Sequence, residues 1–183
     1  MAHPLKVIFK GSYYKKDTAG KLRQTKFSDF SICFDEWWDS DIEIVFDSFA
    51  FIVPKGKTAL DISKVKSENI TISVINRAYL EGGTGASAGA NGNSAIYGPE
   101  KNVTIEGEVN TNFEIKDGNG ATATAAGGKG GDGGVAILID SLTINMDGAI
   151  TVYGGNGGNG GNGGLNGDGV TREANGSAGQ QGA

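Results

Sequence analysis

The chain has 183 residues, of which 32 are glycine, three are proline, one is cysteine and one is histidine. Its formal net charge at pH 7 is −5, with the acidic excess confined to the residues after 80. An acidic surface repels phosphate backbones, which argues against nucleic acid as a partner. One histidine and one cysteine supply neither the usual catalytic pairs nor a zinc cluster, and no apolar run reaches the roughly 20 residues that span a bilayer. We therefore expect a non-enzymatic protein without a membrane span.

The first 80 residues contain short apolar segments rich in β-branched and aromatic residues, which predict strands. Two of these segments flank a turn-like stretch at 17–20 and predict a hairpin. A helical spacing of four aromatic residues leaves a short helix near 28–38 as the alternative in that part. We predict a β-rich N-terminal attachment or assembly domain over 1–80. Its expected strand segments are 5–10, 12–14, 22–27, 30–34, 42–46 and 49–53.

An acidic cluster with two tryptophans lies between two of these segments. Carboxylates beside tryptophans are typical of sugar-cleaving or sugar-binding clefts, and carboxylates also bind cations. The alternative is a polar turn between strands, with the tryptophans packed on the core. The cluster consists of Asp35, Trp37, Trp38, Asp39 and Asp41.

A repeat begins near residue 69 and continues through a glycine-rich domain at 81–183. Three segments with the pattern polar, aliphatic, Thr, aliphatic begin at Asn69, Asn102 and Ser141. A second apolar stretch and then a glycine tract follow each of them. Internal repeats of this length predict parallel β-solenoid rungs, with the glycine tracts emerging on one side. The second stretches are 74–75, 113–115 and 150–152, and the tracts are 82–92, 118–134 and 154–169.

The glycine tracts have a period of three. Residues 154–164 repeat Gly-Gly-Asn, and residues 127–134 keep the same Gly-Gly-Xaa spacing. This period is typical of an extended threefold helix, and the absence of proline from both runs argues against collagen. Two of every three positions have no side chain, so neighbouring helices can exchange N–H to C=O hydrogen bonds. We predict polyglycine II helices, with a flexible glycine linker as the alternative.

Calcium is the minor alternative interpretation of one tract. Residues 127–132 match the start of a calcium-binding nonapeptide, but the apolar residue that should complete it, Val135, comes one position late. We therefore predict no cofactor.

The Gly-Gly-Xaa runs at 127–134 and 154–164 resemble the polyglycine II sandwich of phage tail-fibre tip adhesins and the glycine-rich ice-binding proteins of springtails. The strand-like segment at 136–144 looks more like a parallel β-helix surface protein with glycine loops. The adhesin resemblance implies a fibre or tip protein that binds a cell-surface polysaccharide or outer-membrane protein and self-associates. It places recognition on loops between the glycine helices, here Tyr97 and Tyr153, with Asn156, Asn159 and Asn162 along the flank.

Two other functions stay open. Unpaired strand edges and glycine faces suit a structural subunit of an extracellular filament or coat. A flat face bearing Asn would suit an ice-binding protein. The first residues, Met1-Ala2-His3-Pro4, lack the order of a signal peptide, so we expect an extracellular or virion-associated protein released without one. For Tyr97, a turn-stabilising role is the alternative.

Overall fold

The computed structural model describes residues 5–10, 15–16, 22–23, 32–33, 42–161 and 176–182. Within these ranges the protein is mainly β and contains no helix, and hence no helix that could cross a membrane. The strands are β1 Leu5–Lys10, β2 Lys15–Lys16, β3 Leu22–Arg23, β4 Ile32–Cys33, β5 Ile42–Ile52, β6 Leu60–Asp61, β7 Asn69–Glu81, β8 Ile96–Gly107, β9 Asn112–Lys116, β10 Ile137–Met146 and β11 Ala149–Tyr153. Nine of them form one curled sheet in which each pairing is parallel.

The strands expected near the N-terminus are confirmed where the structure describes them. Strand β1 covers the predicted segment. The short β2 and β3 pair antiparallel across the predicted turn, but β2 begins at Lys15, and the strand predicted at 12–14 lies outside the described residues. The two segments predicted at 42–46 and 49–53 form one strand, β5. Ser48 bends this strand with a φ of 51°, at the point where its pairing with β7 shifts by a residue. Of the alternative helix near 28–38, only 32–33 is described, and it is the strand β4.

The predicted parallel pairing of the repeats is confirmed by the register. Asn69 in β7 lies beside Asn102 in β8, which lies beside Ser141 in β10. The polar side chains that open the three segments form a ladder of hydrogen bonds. The Asn102 amide donates to Asn69 Oδ1 at 3.4 Å, and the Ser141 hydroxyl donates to Asn102 Oδ1 at 2.6 Å. The polar position of the repeat therefore links neighbouring strands.

One element of the predicted repeat was wrong. The second apolar stretch of the first repeat is not Val74-Ile75, because Val74 lies beside Gly107. Ala78 and Leu80 fill that place, opposite Phe113 and Ile115 of β9. The chain turns first at Asn76, whose φ is 64°.

The predicted boundary at residue 80 falls within β7. Strands from both sides of this position belong to the same sheet. The division into two domains stays a prediction.

The hydrophobic core lies on the inner side of the curled sheet. Each strand contributes alternate residues to it, so that like positions form columns across the sheet. Ile72 of β7, for example, lies between Ile44 of β5 and Ile105 of β8, and all three are fully buried. Stacked aromatic rings extend the core at β5, where Phe46 and Phe49 have centroids 5.3 Å apart.

The glycine-rich segments form two rows beside the sheet. The outgoing row consists of segments that leave the ends of β7, β9 and β11, namely residues 82–85, 117–123 and 154–161. The return row consists of segments that lead back towards β8, β10 and the end of the chain, namely residues 90–93, 128–134 and 176–182. Hydrogen bonds join both the segments of one row and the two rows to each other.

These hydrogen bonds recur every three residues. In the outgoing row the N–H groups of residues 117, 120 and 123 donate to the carbonyls of residues 153, 156 and 159, at 2.8–3.3 Å. Between the rows, N–H groups of residues 176, 179 and 182 donate to the carbonyls of residues 161, 158 and 155, at 2.7–2.8 Å. In the first set, donor and acceptor numbers rise together, so the two segments are parallel. In the second set the acceptor numbers fall as the donor numbers rise, so those segments are antiparallel.

Close packing within and between the rows explains why glycine occupies two of every three positions. A Cβ atom at Gly158 would collide with the carbonyl oxygen of Ala121, and one at Gly157 with that of Gly179. Asn159 lies between such positions along the chain but is exposed.

We predict that Ile72→Ala lowers the free energy of unfolding by about 2–5 kcal/mol, since it leaves a cavity in the core. Ile75→Ala on the same strand is the matched control, because Ile75 is 47% exposed; its effect should stay within about 0.5 kcal/mol. Urea denaturation of the two variants measures both values. Equal destabilisation would contradict the inner and outer assignment of β7.

We also predict that Gly158→Val destabilises the glycine rows by at least about 1–3 kcal/mol, because the backbone must move to admit the side chain. Asn159→Ser should change stability by less than about 0.5 kcal/mol. Thermal unfolding and limited proteolysis compare the variants. If both resemble the parent protein, the tract behaves as a flexible linker.

Candidate functional site

Tyr153 lies at the end of β11, on the outer side of the sheet, and is 45% exposed. In register with it are Lys116 of β9 and Glu81 of β7. The Lys116 ammonium contacts Glu81 Oε1 at 2.8 Å, and the Tyr79 hydroxyl donates to Glu81 Oε2 at 2.6 Å. Two phenols, a carboxylate and an ammonium thus share one outer surface.

The charges on this surface are partly neutralised. Burial raises the pKa of Tyr79 well above its usual value, and the hydrogen bond to Glu81 and the charges of Glu81 and Glu114 raise it further. Tyr79 therefore stays protonated and acts as a donor to Glu81. Because Lys116 also binds Glu81, the carboxylate has two partners. The Tyr153 ring, in register with Lys116, is exposed and open to a ligand.

A series of asparagines continues directly from Tyr153. Asn156 and Asn159 follow it at intervals of three residues and are both exposed. The neighbouring outgoing segment fixes their backbone, since Gly120 and Ala123 donate to their carbonyls. In addition, Asn119 Oδ1 accepts the N–H of Asn156 at 2.9 Å. We call the surface formed by Tyr153, Asn156 and Asn159 the Tyr–Asn face. Asn162, the next predicted member, lies outside the described residues.

The sequence-based position of Tyr97 was wrong. Tyr97 belongs to strand β8 and not to a loop, and it lies between Asp61 of β6 and Leu138 of β10. The following Gly98 allows close packing of this strand, because a Cβ there would lie 2.6 Å from the Ile62 side chain. Tyr97 is 36% exposed. Tyr97 thus pairs with residues of β6 and β10, whereas Tyr153 pairs with Lys116 of β9.

The acidic cluster with two tryptophans cannot be placed in this surface. Asp35, Trp37, Trp38, Asp39 and Asp41 all lie outside the described residues. Its role in sugar or cation binding stays a prediction.

The calcium alternative rested on Asp132, which has protein partners here. Lys129 Nζ contacts its Oδ1 at 2.9 Å, and the N–H of Gln180 donates to the same oxygen at 2.7 Å. In the described part of the chain, no group of three or more His, Cys, Asp and Glu side chains is arranged to hold a metal ion.

Sequence reasoning missed a groove where the chain bends between the two apolar stretches of each repeat. Its volume is about 600 Å³. Asn76 and Asn110 make these bends with φ angles of 64° and 72°, and asparagine is one of the few residues that adopt such angles readily. The polar residues that interrupt each pair of apolar stretches are the signal that could have revealed it. The lining includes Ser73, Ile75, Glu106, Glu108, Thr111 and Asp147.

Comparisons with known proteins supply no family. No protein-family model matches the chain, and searches of curated proteins and of solved structures found no significant similarity. The function must therefore be argued from the surfaces themselves.

Proposed function

We propose that this chain is a non-enzymatic attachment protein of the fibre or tip type, which binds a cell surface through the Tyr–Asn face. The observation that carries the proposal is the continuity of this face. An exposed tyrosine at the end of a paired strand leads directly into exposed asparagines whose backbone is hydrogen-bonded to its neighbours. The expected partner is a cell-surface polysaccharide or an outer-membrane protein. A protein of this type acts outside the cell or on a virion.

The architecture that supports this face is part of the proposal. We propose that the paired strands are rungs of a β-solenoid and that the two glycine rows are polyglycine II helices. The three-residue interval of the hydrogen bonds supports this assignment, since the threefold helix has three residues per turn. The steric exclusion of a Cβ at Gly157 and Gly158 supports it as well.

The chemistry of the face suits a hydroxyl-rich ligand. Asparagine amides supply both donors and acceptors without charge, and a tyrosine ring adds contact area with few rotatable bonds. Asn156 and Asn159 project from hydrogen-bonded backbone, so binding orders little of the chain. Most polar loops lose conformational entropy when a ligand orders them. Here folding has already ordered the backbone, so binding costs less entropy.

We predict that Tyr153→Ala reduces binding of the labelled protein to its target cells at least tenfold, because exposed aromatic residues at the centre of an interface often contribute more than about 1.4 kcal/mol. Tyr97→Ala is the matched control, since Tyr97 is a similarly exposed tyrosine on other strand partners. Flow cytometry measures binding, and thermal unfolding verifies that both variants are folded. Loss of binding with Tyr97→Ala and not with Tyr153→Ala would refute the assignment.

The class of ligand can be distinguished on the same cells. Periodate destroys polysaccharide, and protease removes surface proteins. Loss of binding after the first treatment alone supports a polysaccharide, and loss after the second alone supports an outer-membrane protein. Undiminished binding after both treatments would contradict the proposed partners.

A second candidate function is a subunit of an extracellular filament or coat. Strands β10 and β11 each pair with a described strand on one side only. Their apolar side chains Leu142, Ile144 and Val152 are 40–48% exposed. Open parallel edges of this kind favour association with further copies. Light scattering over a concentration series separates the two functions: discrete small oligomers favour the attachment protein, and long fibres favour the filament.

A further inference from the structure

Asp117 occupies a position at which the neighbouring segments of the outgoing row have glycine. It follows directly after β9, as Gly82 follows β7 and Gly154 follows β11. A Cβ at Gly82 would collide with the carbonyl of Asn93, and one at Gly154 with that of Gly182. The segment at 117–123 therefore places a carboxyl group where the adjacent segments leave no room for any side chain.

The Asp117 carboxyl is fully buried, and neither of its oxygens has a hydrogen-bond partner among the described residues. Oδ1 lies against Gly155 and Oδ2 against Gly182, so close that a Cβ at either glycine would collide with the carboxyl group. An ionised carboxylate in such a place is unfavourable, because it loses its hydration without gaining a donor. Burial accordingly raises the pKa of Asp117 to about 6. The charge of Lys116 and the Asp117 backbone N–H, which itself donates to the Tyr153 carbonyl, oppose this shift, and the charge of Glu81 adds to it.

Asp132 also contacts residues 176–182, but there the surroundings favour the ionised carboxylate. Its Oδ1 accepts the N–H of Gln180 at 2.7 Å, and Lys129 lies 2.9 Å away. Both interactions favour the ionised form and hold the pKa of Asp132 below its usual value, the hydrogen bond from Gln180 being the larger cause. Two carboxyl groups thus contact residues 176–182, and the fold favours the neutral form of Asp117 and the ionised form of Asp132.

We propose that residues 176–182 form a pH-sensitive segment, which docks most firmly in mildly acidic solution, where Asp117 is neutral and Asp132 is ionised. The direction of this pH dependence follows from the protonation state that the fold favours for each carboxyl group. Because the fold favours neutral Asp117, its contribution is complete below about pH 4 and is lost as the pH rises through 6. Because the fold favours ionised Asp132, the stabilisation that Asp132 provides is present above the ordinary pKa of an aspartate and is lost as the pH falls through its lowered pKa.

The other charged groups near Asp117 do not reverse this direction. Lys116 and Glu81 form an ion pair with each other at 2.8 Å on the outer surface. The return segment beside 176–182 contributes Lys129, which is paired with Asp132. Residues 154–161 and 176–182 themselves contain no acid, base or tyrosine. The inference does not depend on the attachment role, since it concerns docking within the chain.

Hydrogen exchange of the full chain tests the proposal. The N–H groups of Gly176, Gly179 and Gly182 donate to the outgoing row and report whether the segment is docked. After correction for intrinsic exchange rates, we expect their protection to fall up to roughly 100-fold between pH 4 and pH 8, the ratio that two pKa units allow. Protection of Gly131 and Gly134, which donate to residues 121 and 118, should change little.

Three variants make the test specific. In Asp117→Asn the protection at pH 8 should match that at pH 5, because no charge can form. Asp117→Gly, which installs the residue of the neighbouring segments, should behave in the same way and guards against a poorly folded Asn variant. Asp132→Asn should lower the protection at pH 5. The proposal is wrong if the parent protein shows no pH dependence, if both Asp117 variants retain it, or if calcium chloride restores protection at pH 8, which would indicate a cation site.

Discussion

Pairing of backbone N–H and C=O groups between successive repeats is the constraint on which this structure depends. In the strands the pairing is that of a parallel sheet, so residues at equal positions of β7, β8 and β10 lie side by side. Beyond the ends of β9 and β11 the same neighbours stay paired, but at intervals of three residues. Because buried backbone groups must be satisfied, the change from strand to glycine segment preserves the neighbour relations and alters only the spacing of side chains.

That change in spacing determines which side chains are exposed to a ligand. Alternate residues of a strand face outwards, whereas in the glycine rows about one residue in three does so. In the outgoing row, residues 117, 120 and 123 donate within the row and residues 118 and 121 face the return row, which leaves Asn119 pointing away from it. The same logic leaves Asn156 and Asn159 on that side, and Lys129 and Asp132 on the side of the return row. The exposed side chains of the described outgoing segments are therefore uncharged, whereas the return row carries Lys129 and Asp132.

Much of the strand arrangement could be predicted because it depends on periodicity. The pattern at 69, 102 and 141 was visible since the same polar and aliphatic positions recur, and pairing then follows from repetition alone. Val74-Ile75 was misassigned because the bend at Asn76 depends on a backbone angle that composition does not reveal. Tyr97 was misplaced because the adhesin resemblance puts recognition on loops, whereas Tyr97 lies in β8, where Gly98 makes room for the Ile62 side chain. The groove was missed since it arises only when the bends of successive repeats lie together.

Asp117 could not be recognised from sequence, because Lys-Asp-Gly resembles an ordinary polar turn and only the register shows it beside Gly82 and Gly154. Its placement matters for what the fold tolerates. The glycine positions that surround Asp117 have no side chains with which to solvate a buried charge, and the carbonyls and N–H groups nearby are paired with one another. The Asp117 carboxyl can therefore lower its free energy mainly by taking up a proton, since the alternatives require breaking a backbone hydrogen bond. The backbone pairing that leaves no room for a side chain at Gly82 and Gly154 is thus the physical basis of the pH response that we propose for Asp117.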